Sequence, residues 1–463
     1  MYRNIFFSKR KRKYITFGGA ENITGRSPIS HFPSGKYFTA TFSSRKCCNG
    51  GLMNSIAVIG GGAAGLCAAV YAAAAGAKVT LYEKNEKFAR KLGITGKGRC
   101  NVTNNCTPAE FLAAVTKNNK FLYSAAYRHT TSDVCDFFEG LGVPLKTERG
   151  GRVFPVSDRA ADIVNALRHA ARDNGAKLVS SFEVKAVVRE DDGSFIVKGN
   201  DVSHTHSAVI VCTGGVSYPV TGSTGDGYAI AASFGIPVTN ITPSLVPIEC
   251  AEETSSLSGL TLKNVRLSAF RGDKLLYSEM GEMLFTHFGV SGPLVLSASC
   301  HMRCPVKETR LEIDLKPAIP EDELDARLIR VLAENAAKDF INATAGLLPS
   351  KLVSRVADAA GISHRAKAAE ITREMRLRYL HALKHFPLTP TAFRPISEAI
   401  ITSGGVDVKA LNPKTMEAKS VPGLYFAGEV IDVDAYTGGY NLQIAFSTAR
   451  LAAESAAEYV LSL

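Results

Sequence analysis

The 463-residue chain has no tryptophan and, among its ten cysteines, no paired C-x-x-C unit. Without such pairs a zinc ribbon or a dithiol redox cycle has nothing to rest on, and Cys300-His301-x-x-Cys304 lacks a second ligand pair at zinc spacing. There is no H-E-x-x-H and no G-x-S-x-G, which removes metalloprotease and α/β-hydrolase chemistry. Internal repeats and low-complexity segments are absent too. With 46% hydrophobic and 21% charged residues, the composition excludes a disordered or collagenous chain.

Acidic residues are scarce in one place. Residues 1–53 contain ten lysines and arginines against the single acid Glu21, so this leader carries +9 of the formal charge of +11. The remaining 410 residues hold 44 basic and 42 acidic groups and are nearly neutral, which argues against a nucleic-acid partner. Only Ile5, Phe6 and Phe7 precede the basic run Lys9–Lys13, too little apolar sequence for a secretory signal; the cysteines are therefore expected to be reduced and the protein cytoplasmic. An Arg- and Ser-rich leader also fits an organelle transit peptide. A simpler reading is that Gly50 and Gly51 are encoded by a purine-rich stretch like a ribosome-binding site and that translation starts at Met53. No membrane partner is expected: residues 54–77 lack charge over 24 positions, but Gly60, Gly61, Gly62 and Gly65 divide them into strand, turn and helix.

That turn is the strongest positive signal. Gly60-Gly61-Gly62-Ala63-Ala64-Gly65 is a G-x-G-x-x-G between the β-type run SIAVIG and an Ala-rich helix. The first glycine permits the tight turn, the second lets a pyrophosphate reach the backbone, and the third lets helix pack on strand. The phosphates then face free N–H groups at the helix N-terminus. A second strand, KVTLYEK, ends in Glu83, 18 residues beyond Gly65, where an acid can accept hydrogen bonds from a ribose diol. Two more strand-to-glycine turns, AVIVCTGG ending at Thr213-Gly214-Gly215 and VPGLYFAGE ending at Gly428-Glu429, are more than a mononucleotide requires. Together they suit an extended FAD.

Between Leu245 and about Pro395 the pattern changes. The β-like runs LVPIECAEE, LKNVRLSAF, DKLLYSEM, EMLFTHFGV and TRLEIDLKP come first; helical periodicity follows from Pro320 to His385. The expected fold is α/β: a Rossmann-like FAD-binding domain of glutathione-reductase type in two parts, 54–245 and 396–463, with an inserted β-barrel at 246–319 and a helical subdomain at 320–395.

Four segments carry a more specific likeness. The GGGAAG turn, Arg90-Lys91 with TGKGRCNVTN (95–104), FTHFGVSGP (285–293), and Gly428-Glu429 through YTGGYNLQ (436–443) resemble the BaiN/YhiN family of flavoproteins, in the same order and across residues 55–460. The resemblance implies FAD, with NADH or NADPH visiting as a transient donor because no second G-x-G-x-x-G is present. It implies cofactor contacts from Gly60, Gly62, Ala63, Ala64 and Gly65, from Glu83 and Lys84, and from the basic loop Arg90, Lys91, Gly98, Arg99, Cys100 and Asn101. Further contacts are implied at Val184, Thr213, Gly214, Gly215, Gly428, Glu429, Asp434, Gly439, Asn441 and Leu442. Glu429 stands where many such flavoproteins have Asp, so the ribitol contact is open between Glu429, Asp432 and Asp434.

The implied chemistry is reduction of a C=C bond conjugated to a ketone, in the first place the Δ4 and Δ6 bonds of 3-oxo bile acids, on a small apolar enone. Members also include uridine reductases of ribosomal RNA and an aminoacetone-type oxidase, and both stay open as alternatives. Hydride addition requires a proton donor, for which His287 and Tyr436 are the candidates. Cys100 lies beside Arg99, which can lower a thiol pKa.

Overall fold

The computed structural model describes residues 54–303 and 305–463; the leader, Met53 and Cys304 lie outside them. Five short strands, β1 (Ser55–Ile59), β2 (Lys78–Tyr82), β3 (Lys177–Val179), β4 (Ala208–Val211) and β5 (Leu424–Phe426), form one sheet in the order β5-β4-β1-β2-β3. All neighbours are parallel, with Ile56 opposite both Val79 and Ala208. Every residue of β1 and β4 is buried, as parallel strands covered on both faces require.

Helix α1 (Ala63–Ala74) follows the glycine turn, and α2 (Ala160–Asp173) and α3 (Tyr440–Ser462) pack against it. Both α1 and α3 are rich in buried alanine, so their axes approach closely and cover the sheet without large side chains. Among the described residues no helix is long and apolar enough to cross a membrane.

The chain leaves this domain and returns at one neck, where Thr242–Ser244 pairs antiparallel with Ile401–Ser403. Beyond it lies a seven-stranded antiparallel sheet with its own core. Its two edge strands, Phe386–Leu388 and Pro390–Phe393, are consecutive in the chain, so the sheet curls until its edges adjoin. These two strands fall inside the expected helical subdomain at 320–395, just past the end of its helical periodicity; its last helix is Arg373–Lys384. Pro387 and Pro390 hide them: proline reads as a breaker, yet edge strands accept it. A second difference is Gly281. Its sequence suggests a turn between two strands, whereas Lys274–Thr286 is one strand in which a Cβ at Gly281 would lie 3.2 Å from Leu294, on the helix Pro293–Ser299.

Candidate active site

The turn after β1 is shaped by contacts that only glycine allows. A Cβ on Gly65 would lie 1.8 Å from the Gly60 carbonyl oxygen, and one on Gly60, whose φ is +99°, 2.6 Å from the Cys212 carbonyl. Gly62 differs: a Cβ there would meet nothing within 4 Å. Gly62 caps α1 without a side-chain hydrogen bond, and no acid stands in the first turn, so the positive end of the helix is left open toward the space beside it.

That space is a cavity of about 930 Å³, within the range of a large ligand pocket. It runs from Glu83 and Lys84 past Gly60, Gly62, Ala63 and Ala64 to Tyr436–Leu442. Arg90, Lys91, Arg99, Asn101, Val184, Thr213, Gly214, Glu429, Gly439, Asn441 and Leu442 also line it. From the inserted region, Gly281, Pro293 and Leu296 close it, together with Leu245 and Ile400 at the neck.

Glu83, at the end of β2, is buried; its Oε2 accepts from the Gly61 amide at 2.7 Å and its Oε1 from the Asn85 amide at 2.8 Å. The carboxylate is thus fixed at the phosphate turn. Lys84 pairs with Asp226 at 2.6 Å and Arg90 donates to Asn85 Oδ1 at 2.9 Å. Arg99 pairs with Glu148 and Asp158 and lies 4.1 Å over the Phe154 ring.

Of the three acids open for the ribitol, Glu429 alone lines the cavity. Lys91 donates to its Oε2 at 2.7 Å, and Ser217 Oγ and the Thr402 amide donate to its Oε1 at 3.0 and 2.9 Å. Asp434 is turned away: 1% exposed, it accepts from Ser244 at 2.9 Å and Thr116 at 3.2 Å and faces Arg303. Asp432 is buried against Lys117 at 2.6 Å. The cofactor contact expected of Asp434 is therefore not supplied by its carboxylate, which serves the packing of the neck.

Gly65, Gly98, Cys100, Gly215 and Gly428 also stand off the cavity wall: Gly98 is exposed, and the other four shape the backbone behind the wall. A Cβ on Gly215 would lie 2.3 Å from Thr402 Oγ1, and one on Gly428 2.8 Å from Ala64 Cβ. Cys100 is fully buried, and burial pushes its thiol up to about 12, the reverse of the activation that its neighbour Arg99 suggests. Its φ of +60° sets a sharp bend between Arg99 and Asn101, both of which line the cavity.

His287 is not at the cavity. It is exposed at the turn joining Lys274–Thr286 to Gly289–Ser291, with its ring against Phe288. Tyr436 is on the wall, in a loop pinned from both sides: its amide donates to Ala114 O at 3.1 Å, and Asn441 Nδ2 donates to the Ala435 and Tyr436 carbonyls at 2.8 and 3.2 Å. Burial, reinforced by Glu279, pushes the phenol up to about 12, so it stays protonated at neutral pH. Behind it stands a residue that the sequence reading passed over, His301, whose Nε2 lies 2.6 Å from the Tyr436 hydroxyl. Its one visible signal was the Cys-His-x-x-Cys stretch, where the histidine stands out for its chemistry and the cysteines do not.

Two buried polar atoms on the wall, Asn101 Oδ1 and Thr213 Oγ1, have no hydrogen-bond partner among the described residues. Unpaired buried polar groups are costly and rare, and a ligand that bonds them removes the cost. With an open helix N-terminus, a fixed acid 18 residues past the third glycine and a cavity of this length, the donor set fits FAD.

Comparison with known proteins agrees. The sequence profile described as "HI0933-like protein Rossmann domain" matches residues 54–455. The chain is 35% identical to the ribosomal RNA dihydrouridine synthase of Haemophilus influenzae, covering 85% of this chain and 96% of that one. It is 32% identical to the protein of the same name in Escherichia coli, covering 85% and 95%. It is 30% identical to the 3-dehydro-bile acid delta(4,6)-reductase of Clostridium scindens, covering 88% of this chain and all of the other. The chain belongs to the HI0933-like, BaiN/YhiN-type family of FAD-binding proteins and is an FAD-family oxidoreductase.

Proposed function

We propose that the protein reduces a C=C bond conjugated to a carbonyl, and that this bond is the C5=C6 of a uracil in ribosomal RNA. The observation that carries the substrate class is the distribution of charge. Residues 84–99 and 146–159 together hold ten lysines and arginines against three acids, a local +7 in a body of net +2. Near-neutral overall charge, which argues against RNA when averaged, conceals a basic rim. Lys97, Arg149 and Arg152 are exposed on that rim and line the cavity, and among the described residues no carboxylate is in ion-pair distance of them. Unpaired cations beside a site that already takes a dinucleotide are suited to further phosphates.

Within the site, Glu83 would hold the adenosine ribose, Gly62 to Ala64 the pyrophosphate, and Thr213, Asn101 and Glu429 the remainder of the cofactor. FAD, when bound, supplies the two-electron reducing power, drawn from NADH or NADPH as a transient donor. The chain itself contributes orientation, an apolar roof from Leu245, Pro293, Leu296 and Ile400, and a proton: Tyr436, neutral at working pH, donates from its hydroxyl to the carbon next to the carbonyl.

A steroid-type enone is the second reading. It is supported by the full-length match to the Clostridium scindens reductase and by the apolar roof. Both substrates present the same bond to the same proton donor.

The deciding experiment, without oxygen, mixes dithionite-reduced holoenzyme with a ribosomal RNA fragment containing uridine or with a 3-oxo-Δ4 steroid, mixes oxidised holoenzyme with aminoacetone, an electron donor, and follows flavin absorbance. Reoxidation by RNA alone is expected. Reoxidation by the steroid alone moves the substrate to the second reading; reoxidation by neither, or bleaching of the oxidised flavin by aminoacetone alone, overturns the reduction.

Two variants extend the test. Replacing Lys97, Arg149 and Arg152 together with Gln should weaken RNA binding, with the salt slope of log Kd reduced by about 1 per cation removed. A parent-level slope in a filter-binding series counts against the rim. Separately, Glu83→Ala should weaken FAD binding by about 1–3 kcal/mol, the cost of stranding polar partners, as read by fluorescence titration.

A further inference from the structure

We infer that His301 is a positioning residue for the proton donor: held in its Nε2–H tautomer, it donates to the Tyr436 oxygen, so that the phenol's own proton points into the cavity. The inference rests on the reduction proposed above. The two atoms are 2.6 Å apart, a short bond between a cavity-wall hydroxyl and a ring one layer behind it. If Nε2 were instead the acceptor, the phenol would spend its only proton on the histidine and have none for the substrate.

The surroundings favour a neutral ring. Burial, aided by Arg303, lowers the His301 pKa, and Asp434 opposes that shift. The other groups around it are Tyr277, whose ring is 5.4 Å from the imidazole, Glu279, which accepts from Tyr277 at 3.2 Å, and Cys300, which hydrogen-bonds Ser244. Burial and Glu279 hold the Tyr277 phenol far above its ordinary value, so it stays neutral. Glu279 is exposed, which brings the cluster from the cavity wall out to water.

The proton balance closes. Tyr436 gives its hydroxyl proton to the substrate carbon and becomes a phenolate, which the Nε2–H stabilises. That proton then passes from Nε2 to the phenolate oxygen while Nδ1 takes one from water, and exchange with water, which protonates Nε2 and removes the Nδ1 proton, restores the starting tautomer. The net change is one proton moved from solvent to substrate.

Two measurements test this. Nitrogen-15 NMR of histidine-labelled holoenzyme at pH 7.5, assigned by the signal missing from His301→Gln, should show His301 protonated at Nε2. A ring protonated at Nδ1 alone overturns the inference whatever the substrate proves to be. In rapid mixing with whichever of the RNA fragment or the 3-oxo-Δ4 steroid reoxidises the parent, His301→Ala should slow reoxidation about 10- to 100-fold. His301→Gln, which still donates to the phenol, should recover part of that loss. The parent rate should rise as pH falls through the His301 pKa, because an imidazolium makes the phenol a stronger acid, and His301→Gln should lose that rise. Equal rates and profiles in all three proteins would also overturn it. Failure of every substrate to reoxidise the parent would instead strike the proposed reduction and leave the tautomer result standing.

Discussion

Tyr436→Phe is expected to slow substrate reduction by about 10²–10⁴-fold, the usual contribution of a positioned general acid, while leaving FAD bound at the parent level. The substitution removes one oxygen and little volume. The backbone at 435–436 is held by Asn441 and by the Ala114 carbonyl, neither of which touches the phenol, so the ring should stay where it is. What disappears is a cavity-wall hydroxyl with a histidine behind it; the similar pair Tyr82–His206 lies at the other end, beside Glu83. Stopped-flow reoxidation, with flavin content measured on the same sample, separates the outcomes. A parent rate at full occupancy would assign the proton to solvent or to another group. A slow rate with flavin missing would mean that the loop had moved and the substitution had tested packing.

The cofactor end of this site was legible because its chemistry is written in consecutive residues. A turn that must pass under a helix requires Gly60 and Gly65, and an acid one strand later follows from the length of α1 and β2. The catalytic end was not legible, because it is assembled across the insertion. His301 and Tyr436 are 135 positions apart and meet only when the helix Pro293–Ser299 is laid against the neck. His287 attracted notice for its Gly- and Pro-rich neighbours, yet those residues make a hairpin turn that faces water. Likewise Glu429, Asp432 and Asp434 are equivalent by spacing. They are separated by partners elsewhere: Lys91 draws Glu429 to the cavity edge, whereas Lys117 and Ser244 take the other two. The basic rim was lost for a different reason, since a net charge sums over surfaces that no single ligand touches.

The two glycines of the phosphate turn should fail in opposite ways. Gly65→Ala places a methyl 1.8 Å from the Gly60 carbonyl oxygen, a backbone atom that cannot rotate aside, with Cys212 Cβ 3.4 Å away just past the end of β4. Helix α1 must lift from β1, and because α1 packs against both the sheet and α3, the displacement spreads through the core. Destabilisation of about 3 kcal/mol or more is expected, at the upper end of overpacking costs. Thermal melting of the FAD-free protein should show it directly. Gly62→Ala meets no protein atom within 4 Å and has an ordinary φ of −79°, so the FAD-free protein should melt with the parent. Its methyl instead enters the space at the open end of α1, where the phosphates would approach the backbone, and FAD affinity should fall at least tenfold, about 1.4 kcal/mol. If Gly62→Ala bound FAD like the parent, the pyrophosphate would not lie at the N-terminus of α1, and the cofactor would have to enter the cavity from another direction.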